Sequence, residues 1–228
     1  MRHLARVTGR RIACLLGTCG LLAGGAGATV LLAAEPAGAV ACGTAIAAGT
    51  ACTLTGTLGV TTGTLTLTSP SALAWSTTET GADQQLVDPT TAHQSYLVND
   101  ATGSGAGWHV TVSATTFTTG TYTLANSGTF VSTGSVTSET ATTAPTAACS
   151  TGSTCMLPTD TTTYPVAITT ASSAPTAVNV YDTGTGTGLG SVTIGIGALP
   201  VGWWVNVPAS AKAGAYTSTI SLTIISAP

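Results

Sequence analysis

Apolar and polar residues alternate in several short stretches of the chain, with the period of two that is typical of a β-strand buried on one face. In residues 108–114 the large or apolar positions are Trp108, Val110 and Val112, and His109 and two hydroxyl residues lie between them. The same alternation is found at 64–68, 192–196 and 217–225. Short strands separated by polar turns, without helical periodicity after residue 41, predict an all-β antiparallel sandwich of the Ig-like, Greek-key type.

The start of the chain has a different pattern. All four arginines fall within the first eleven residues, and an uncharged apolar stretch follows to about residue 34. Small residues then provide two candidate cleavage sites, after Ala39 or after Ala41. These features predict a secretory signal peptide over 1–41 that is removed by cleavage. The mature, secreted protein is then 42–228, a single β-sandwich domain.

Three other interpretations of this region are considered. The apolar stretch is long enough for a transmembrane anchor, and the pair Arg10-Arg11 permits twin-arginine export in place of the general secretory route. A loose small-residue box before Cys42 permits lipidation of that cysteine. The adjoining cleavage sites favour a cleaved peptide, and lipidation would leave Cys52 unpaired. We therefore expect no integral membrane segment in the mature chain.

The charge of the mature chain excludes two classes of partner. Lys212 is its one basic residue besides two histidines, and it stands against seven carboxylates, for a net charge of −6. Nucleic acids and anionic lipid surfaces are bound through clustered Lys and Arg, so neither is expected as a partner. Threonine supplies 46 of the 187 residues. Its β-branched side chain suits half-exposed strands, and its hydroxyl wets a surface that has few charges.

Four cysteines remain after cleavage, an even number that suits an oxidising compartment. Of the three possible pairings, we favour Cys42 with Cys52 and Cys149 with Cys155, because each pair closes a loop of about ten residues or fewer. The second pair lies in 138–163, a segment rich in Thr and Ser with little periodicity. This segment is predicted to be a long loop pinned by its disulfide.

Residues with catalytic or metal-binding chemistry are few. His109 lies on the polar face of a predicted strand, and His93 has no acidic residue at a telling spacing. No Gly-x-Ser-x-Gly turn marks a serine nucleophile, and no Cys-x-x-Cys or His-x-x-x-His pair marks a metal site. Residues 100–105 lack the alternating acidic ligands of a calcium loop. We expect no catalytic residue, no metal and no cofactor, and therefore not an enzyme.

The four tryptophans are the candidate ligand contacts, because secreted β-sandwiches that bind sugars commonly do so through exposed aromatic faces. Trp75 and Trp108 lie in strand-like runs, and the core is their expected place. Trp203 and Trp204 are neighbours, and neighbours in a strand point to opposite faces. One of these two indoles is therefore expected to be buried and the other exposed.

Two stretches carry a further pattern. The chain ends in Tyr-x-x-x-Ile-Ser-Leu-Thr-Ile-Ile-Ser-Ala-Pro, with Tyr216, Ile220 and Pro228 as its fixed points. Residues 97–112 run from Leu-Val-Asn-Asp to Gly-Trp-His-Val-Thr-Val. Over about 70–228, these two motifs resemble, in the same order, those of the WxL domain of Gram-positive surface proteins. The resemblance implies a secreted domain that attaches non-covalently to the cell wall through peptidoglycan.

The chain departs from the WxL pattern at its signature position. Leu222 stands where the family has Trp, and the upstream copy survives only as residues 73–77 around Trp75. By strand parity Leu222 shares an apolar face with Ile220 and Ile224, so it is predicted to be a core residue. A buried Leu in place of Trp is compatible with the fold after repacking, whereas a ligand site built on that indole would be lost.

These observations predict a secreted, non-catalytic protein of the cell surface. Its expected partner is peptidoglycan, another cell-wall polysaccharide or another surface protein. The alternative is a structural or assembly subunit of an extracellular layer or filament, because a threonine-rich surface with few charges has little to repel its neighbours. A secreted hydrolase is the third class.

Overall fold

The computed structural model describes residues 40–41, 45, 47–48 and 51–226. The chain divides into two units, 1–58 and 59–228. In the first unit the described strands are β1 (Val40–Ala41) and β2 (Cys52–Thr53), which form a parallel pair. Cys52 is disulfide-bonded. Its predicted partner, Cys42, and the predicted signal peptide up to residue 39 lie outside the described residues.

The described part of the second unit consists of eleven strands and one 3-10 turn, Thr91–His93. The strands are β3 (Leu65–Thr68), β4 (Gln84–Val87), β5 (Tyr96–Asp100), β6 (Trp108–Ala114), β7 (Phe130–Thr133), β8 (Ala147–Cys149), β9 (Val166–Ile168), β10 (Val178–Asp182), β11 (Gly190–Ile194), β12 (Gly202–Val207) and β13 (Ile220–Ser226). They form three antiparallel sheets: sheet 1 in the order β3-β5-β11-β8, sheet 2 in the order β4-β12-β7-β9, and sheet 3 in the order β10-β6-β13. The predicted all-β sandwich is confirmed. No helix in the described residues is long and apolar enough to cross a membrane.

Period-two alternation places the core as predicted. β6 is the central strand of sheet 3, and its Trp108, Val110 and Val112 have no exposed surface. In β13 the half-buried residues alternate with exposed ones, and Leu222 is among those that pack against the core. All three sheets contribute side chains to one apolar cluster. Burial of this cluster is the main favourable contribution to folding.

The predicted loop 138–163 contains a strand. Residues 147–149 form β8, which pairs with β11 at the edge of sheet 1, with Cys149 opposite Val192. A strand of three residues is too short to show an alternating pattern, and the sequence therefore predicted only loop. The disulfide between Cys149 and Cys155 is confirmed, with 5.4 Å between the two Cα atoms. It closes the turn that follows β8.

The expectation that one of Trp203 and Trp204 is exposed is wrong, since their exposed fractions are 1% and 6%. β12 lies between β4 and β7 in sheet 2, and Trp203 stacks on Phe130 in the core at a centroid distance of 6.1 Å. Trp204 points to the opposite face of the sheet. There its Nε1 donates to the carbonyl of Ser135 at 2.9 Å, because the segment after β7 folds back over this face.

A buried carboxylate ties this covering segment to the sheet. Glu139 is 9% exposed and accepts hydrogen bonds from the side-chain amides of Gln85 in β4 and Asn206 in β12. Gln85 and Asn206 are directly opposite each other in the antiparallel ladder. The two amides satisfy a carboxylate that would be costly to bury alone. Through these bonds segment 134–145 is held over the face of sheet 2 on which Trp204 lies.

Close approach of the covering segment requires glycine at position 202. A Cβ atom there would lie 1.8 Å from the Ser135 carbonyl oxygen. We expect Gly202→Ala to displace the segment and lower the free energy of unfolding by about 2 kcal/mol or more. Gly184→Ala is the control, because no atom lies within 4 Å of the position that its Cβ would take. Urea unfolding of both variants tests this; equal stability would contradict it.

Candidate functional site

A buried carboxylate joins three segments near the end of sheet 2. Asp88 directly follows β4 and is 0% exposed. Its Oδ2 accepts the backbone amide of Ala74 at 2.8 Å and lies 2.8 Å from His93 Nδ1, and its Oδ1 accepts the amide of Thr90 at 2.8 Å. The Asp88 amide donates to the carbonyl of Trp203 in β12. Asp88 therefore fixes segment 73–75 against the sheet.

His93 pairs with Asp88, although no acidic residue had been identified at a telling spacing from it in the sequence. The 3-10 turn at 91–93 returns the ring to a carboxylate five positions earlier. The carbonyl of His93 also accepts Nε1 of Trp203 at 3.0 Å. Within the described residues, no hydroxyl lies within hydrogen-bonding distance of the His93 ring, and its observed contacts hold neighbouring chain segments together.

Two opposing effects act on the pKa of the Asp88 carboxyl. Burial raises the pKa, because it penalises the charged form. Hydrogen bonds from the backbone amides of Thr90 and Ala74, and from the side chain of His93, lower it. The net result is a pKa below the ordinary value of 3.8. The carboxylate form is therefore the one that the fold stabilises.

Trp75 is held in place beside Asp88. Its Nε1 donates to the carbonyl of Trp203 at 3.0 Å, and its rings meet Phe117 and Phe130 edge to face, each at a centroid distance of 5.9 Å. Trp75 is nonetheless only half-buried. One side of the indole is anchored in the aromatic core, and the remainder lies at the surface in a single orientation.

Two cavities meet at this indole. The first, of about 430 Å³, lies between segment 70–75 and residues 216–222, and the second, of about 670 Å³, lies between segment 75–79 and residues 212–216. Trp75, Phe117 and Tyr216 line both. We call the two together the Trp75 groove. Their volumes fall in the range of sites for small ligands.

The lining of the groove is aromatic and hydroxylated. Ser71, Thr217 and Ser218 line the first cavity, and Ser76, Thr77 and Thr78 line the second. The first cavity has no charged residue in its lining, whereas Glu79 and Lys212 line the second. Aromatic faces with hydroxyl donors and acceptors around them suit a ligand that has both apolar and polar faces, as a sugar ring does.

The structure separates the four predicted tryptophans into two groups. Trp75 and Trp203 line the first cavity. Trp108 is fully buried, with Nε1 donating to the carbonyl of Gly188, and Trp204 lies beneath the covering segment on the other face of sheet 2. Neither of these two lines the groove. The sequence-based list therefore contains one half-exposed indole, Trp75, and three buried ones.

Other residues of the groove were missed as candidate contacts. Phe117 and Tyr216 line both cavities, and Leu222 lines the first. Tyr216 and Leu222 had been noted only as motif positions, and that motif is the signal by which they could have been found. Asp88 was also missed, although Thr90 and His93, two of its three partners, lie within five positions of it in the sequence. Within the described residues, no cluster of three or more His, Cys, Asp or Glu is placed to hold a metal ion.

Comparison with known proteins supplies a family for this region. A family model described as "WxL domain surface cell wall-binding" matches residues 57–228. Comparison with curated proteins and with solved structures finds no match. The matched range contains the Trp75 groove, Asp88 and all three sheets.

Removal of the Asp88 charge should weaken the fold. Asp88→Asn retains the shape but turns an amide donor towards N–H groups, and we expect a loss of about 2–4 kcal/mol in unfolding free energy at pH 7. Because the folded-state pKa is depressed, the wild-type advantage is complete above pH 3.8 and declines as pH falls through the folded pKa. Urea unfolding of both proteins from pH 7 to pH 2 measures this. A difference that stays constant with pH would contradict it.

Proposed function

The chain belongs to the WxL domain family, the family of surface domains that bind the cell wall, and on that premise we propose that it binds peptidoglycan non-covalently through the Trp75 groove. The observation that carries this proposal is the half-exposed, rigidly held indole of Trp75 between two cavities. An indole that is already oriented loses little conformational freedom when a ligand stacks on it. A sugar ring offers the apolar face that such stacking requires.

The position of Leu222 supports the same groove. Leu222 stands at the family's signature Trp and lines the first cavity together with Trp75 and Phe117. The aromatic surface for a ligand then comes from Trp75, Phe117 and Tyr216, so binding does not depend on an indole at position 222.

We propose further that the protein is secreted and non-catalytic. The Asp88–His93 pair is engaged in holding segment 73–75 and β12, and the contacts of both side chains and of the His93 carbonyl are structural. The acidic mature chain is compatible with an uncharged or mixed-charge wall polymer. The alternative of an assembly subunit remains a prediction, and size-exclusion chromatography of the same preparations tests it.

Binding to isolated cell-wall sacculi tests the groove directly. We expect Tyr216→Ala and Trp75→Ala, in the protein purified after expression of the full-length chain, to weaken co-sedimentation with sacculi by about fivefold or more, because each removes a stacking surface. Tyr122→Ala is the matched control: Tyr122 is 47% exposed and lines neither cavity.

Folding must be measured in parallel, since Trp75 also packs in the core. Near-ultraviolet circular dichroism and thermal unfolding identify any variant that is unfolded, and Tyr216→Ala then carries the test. Folded variants that bind sacculi as tightly as the Tyr122→Ala control would refute the proposed site. Undiminished binding by all three variants would place wall contact elsewhere on the domain.

A further inference from the structure

Most charged side chains of the mature chain form hydrogen bonds within the domain. Apart from histidine, this chain has eight charged side chains, and six of them accept hydrogen bonds from other groups of the domain. These six are Asp83, Asp88, Asp100, Glu139, Asp160 and Asp182. The other two, Glu79 and Lys212, make no hydrogen bond or ion pair through their side chains within the described part of the chain.

These two residues line the same cavity. Glu79 and Lys212 both belong to the second cavity of the Trp75 groove, and the first cavity contains no charged residue. Lys212 is exposed, and the turn that carries it is fixed by a 2.9 Å hydrogen bond from the Tyr216 hydroxyl to the Lys212 carbonyl. The groove therefore has a neutral half and a half with one charge of each sign, joined at Trp75.

Resting on the proposed function, we propose that the second cavity recognises the stem peptide of peptidoglycan while the first receives its sugar. Lys212 pairs with a carboxylate of the peptide and Glu79 with an amine or amide. A polymer made only of neutral sugars would leave both charges unused. A polyanion of repeated phosphates would meet one ammonium group and a domain of net charge −6. A peptide-bearing glycan matches both halves of the groove.

We expect Glu79 and Lys212 to affect which ligand is preferred more than how tightly it is bound. Ion pairs at exposed sites are individually weak and screened by salt, so each charged residue is expected to change affinity only a few-fold. The aromatic wall that the two cavities share contributes to binding with or without the peptide. The charged half then distinguishes peptide-bearing fragments from bare glycan.

Two soluble probes separate these contributions: the disaccharide-peptides released from sacculi by a muramidase, and the same disaccharides after an amidase has removed the peptides and the lactyl carboxylate freed by that hydrolysis has been converted to a neutral amide. By isothermal titration calorimetry we expect the wild-type protein to bind the first about three- to fivefold more tightly. Lys212→Gln and Glu79→Gln should each reduce this preference, and the double variant should bind both probes alike. Lys212→Arg should retain the preference, because it keeps the charge, and 0.5 M salt should abolish it in the wild type.

The outcomes distinguish this inference from the function on which it rests. If the wild type and Lys212→Gln bind both probes equally, and Tyr216→Ala weakens both, the groove binds sugar and the peptide inference is overturned. If Tyr216→Ala and Trp75→Ala bind as the wild type does, the groove itself is refuted. A preference for the peptide-bearing probe that is undiminished in both Lys212→Gln and Glu79→Gln also overturns the inference.

Discussion

The carboxylate of Asp88 is the interaction on which the candidate site depends. It is fully buried and forms no ion pair with a Lys or Arg among the residues that the structure describes, yet its two oxygens meet two backbone amides and a histidine ring. A buried charge is tolerated only when its hydrogen bonds are satisfied. Two of these partners, Thr90 and His93, lie just after β4, and the third is the backbone amide of Ala74, the residue before Trp75. The same contacts that satisfy Asp88 therefore place Trp75 at the surface.

A small number of carboxylates hold the segments of this domain in place. Glu139 holds the covering segment through amides of β4 and β12, and Asp160 accepts bonds from Thr162, Asp182 and Tyr164. Hydrogen bonds to a charged acceptor are stronger than those between neutral groups. Threonine is so frequent in this sequence that its contacts do little to distinguish one pairing of segments from another. The hydrogen bonds to these carboxylates are specific, and they favour the observed pairing.

The Trp75 groove relates the fold to the family's association with the cell wall. β13, which carries the family's C-terminal motif, forms one wall of the groove, and the residues around the surviving upstream motif form another. Trp75, in the upstream copy of the motif, and Leu222, in the C-terminal motif, are about 145 residues apart in sequence. Leu222, at the family's signature position, lines the first cavity and also packs against the core.

Local sequence was enough to predict the all-β class, the strands with clear alternation such as β6 and β13, the Cys149–Cys155 pair and the family. Each depends on local periodicity, short spacing or a linear motif. Three features emerged only in the folded structure: Trp204 is buried, β8 is a strand, and the Glu139 carboxylate meets the side-chain amides of Gln85 and Asn206. The physical reason is that each of these depends on what a distant segment supplies: a cover over the sheet, a partner edge, or donors for a buried charge.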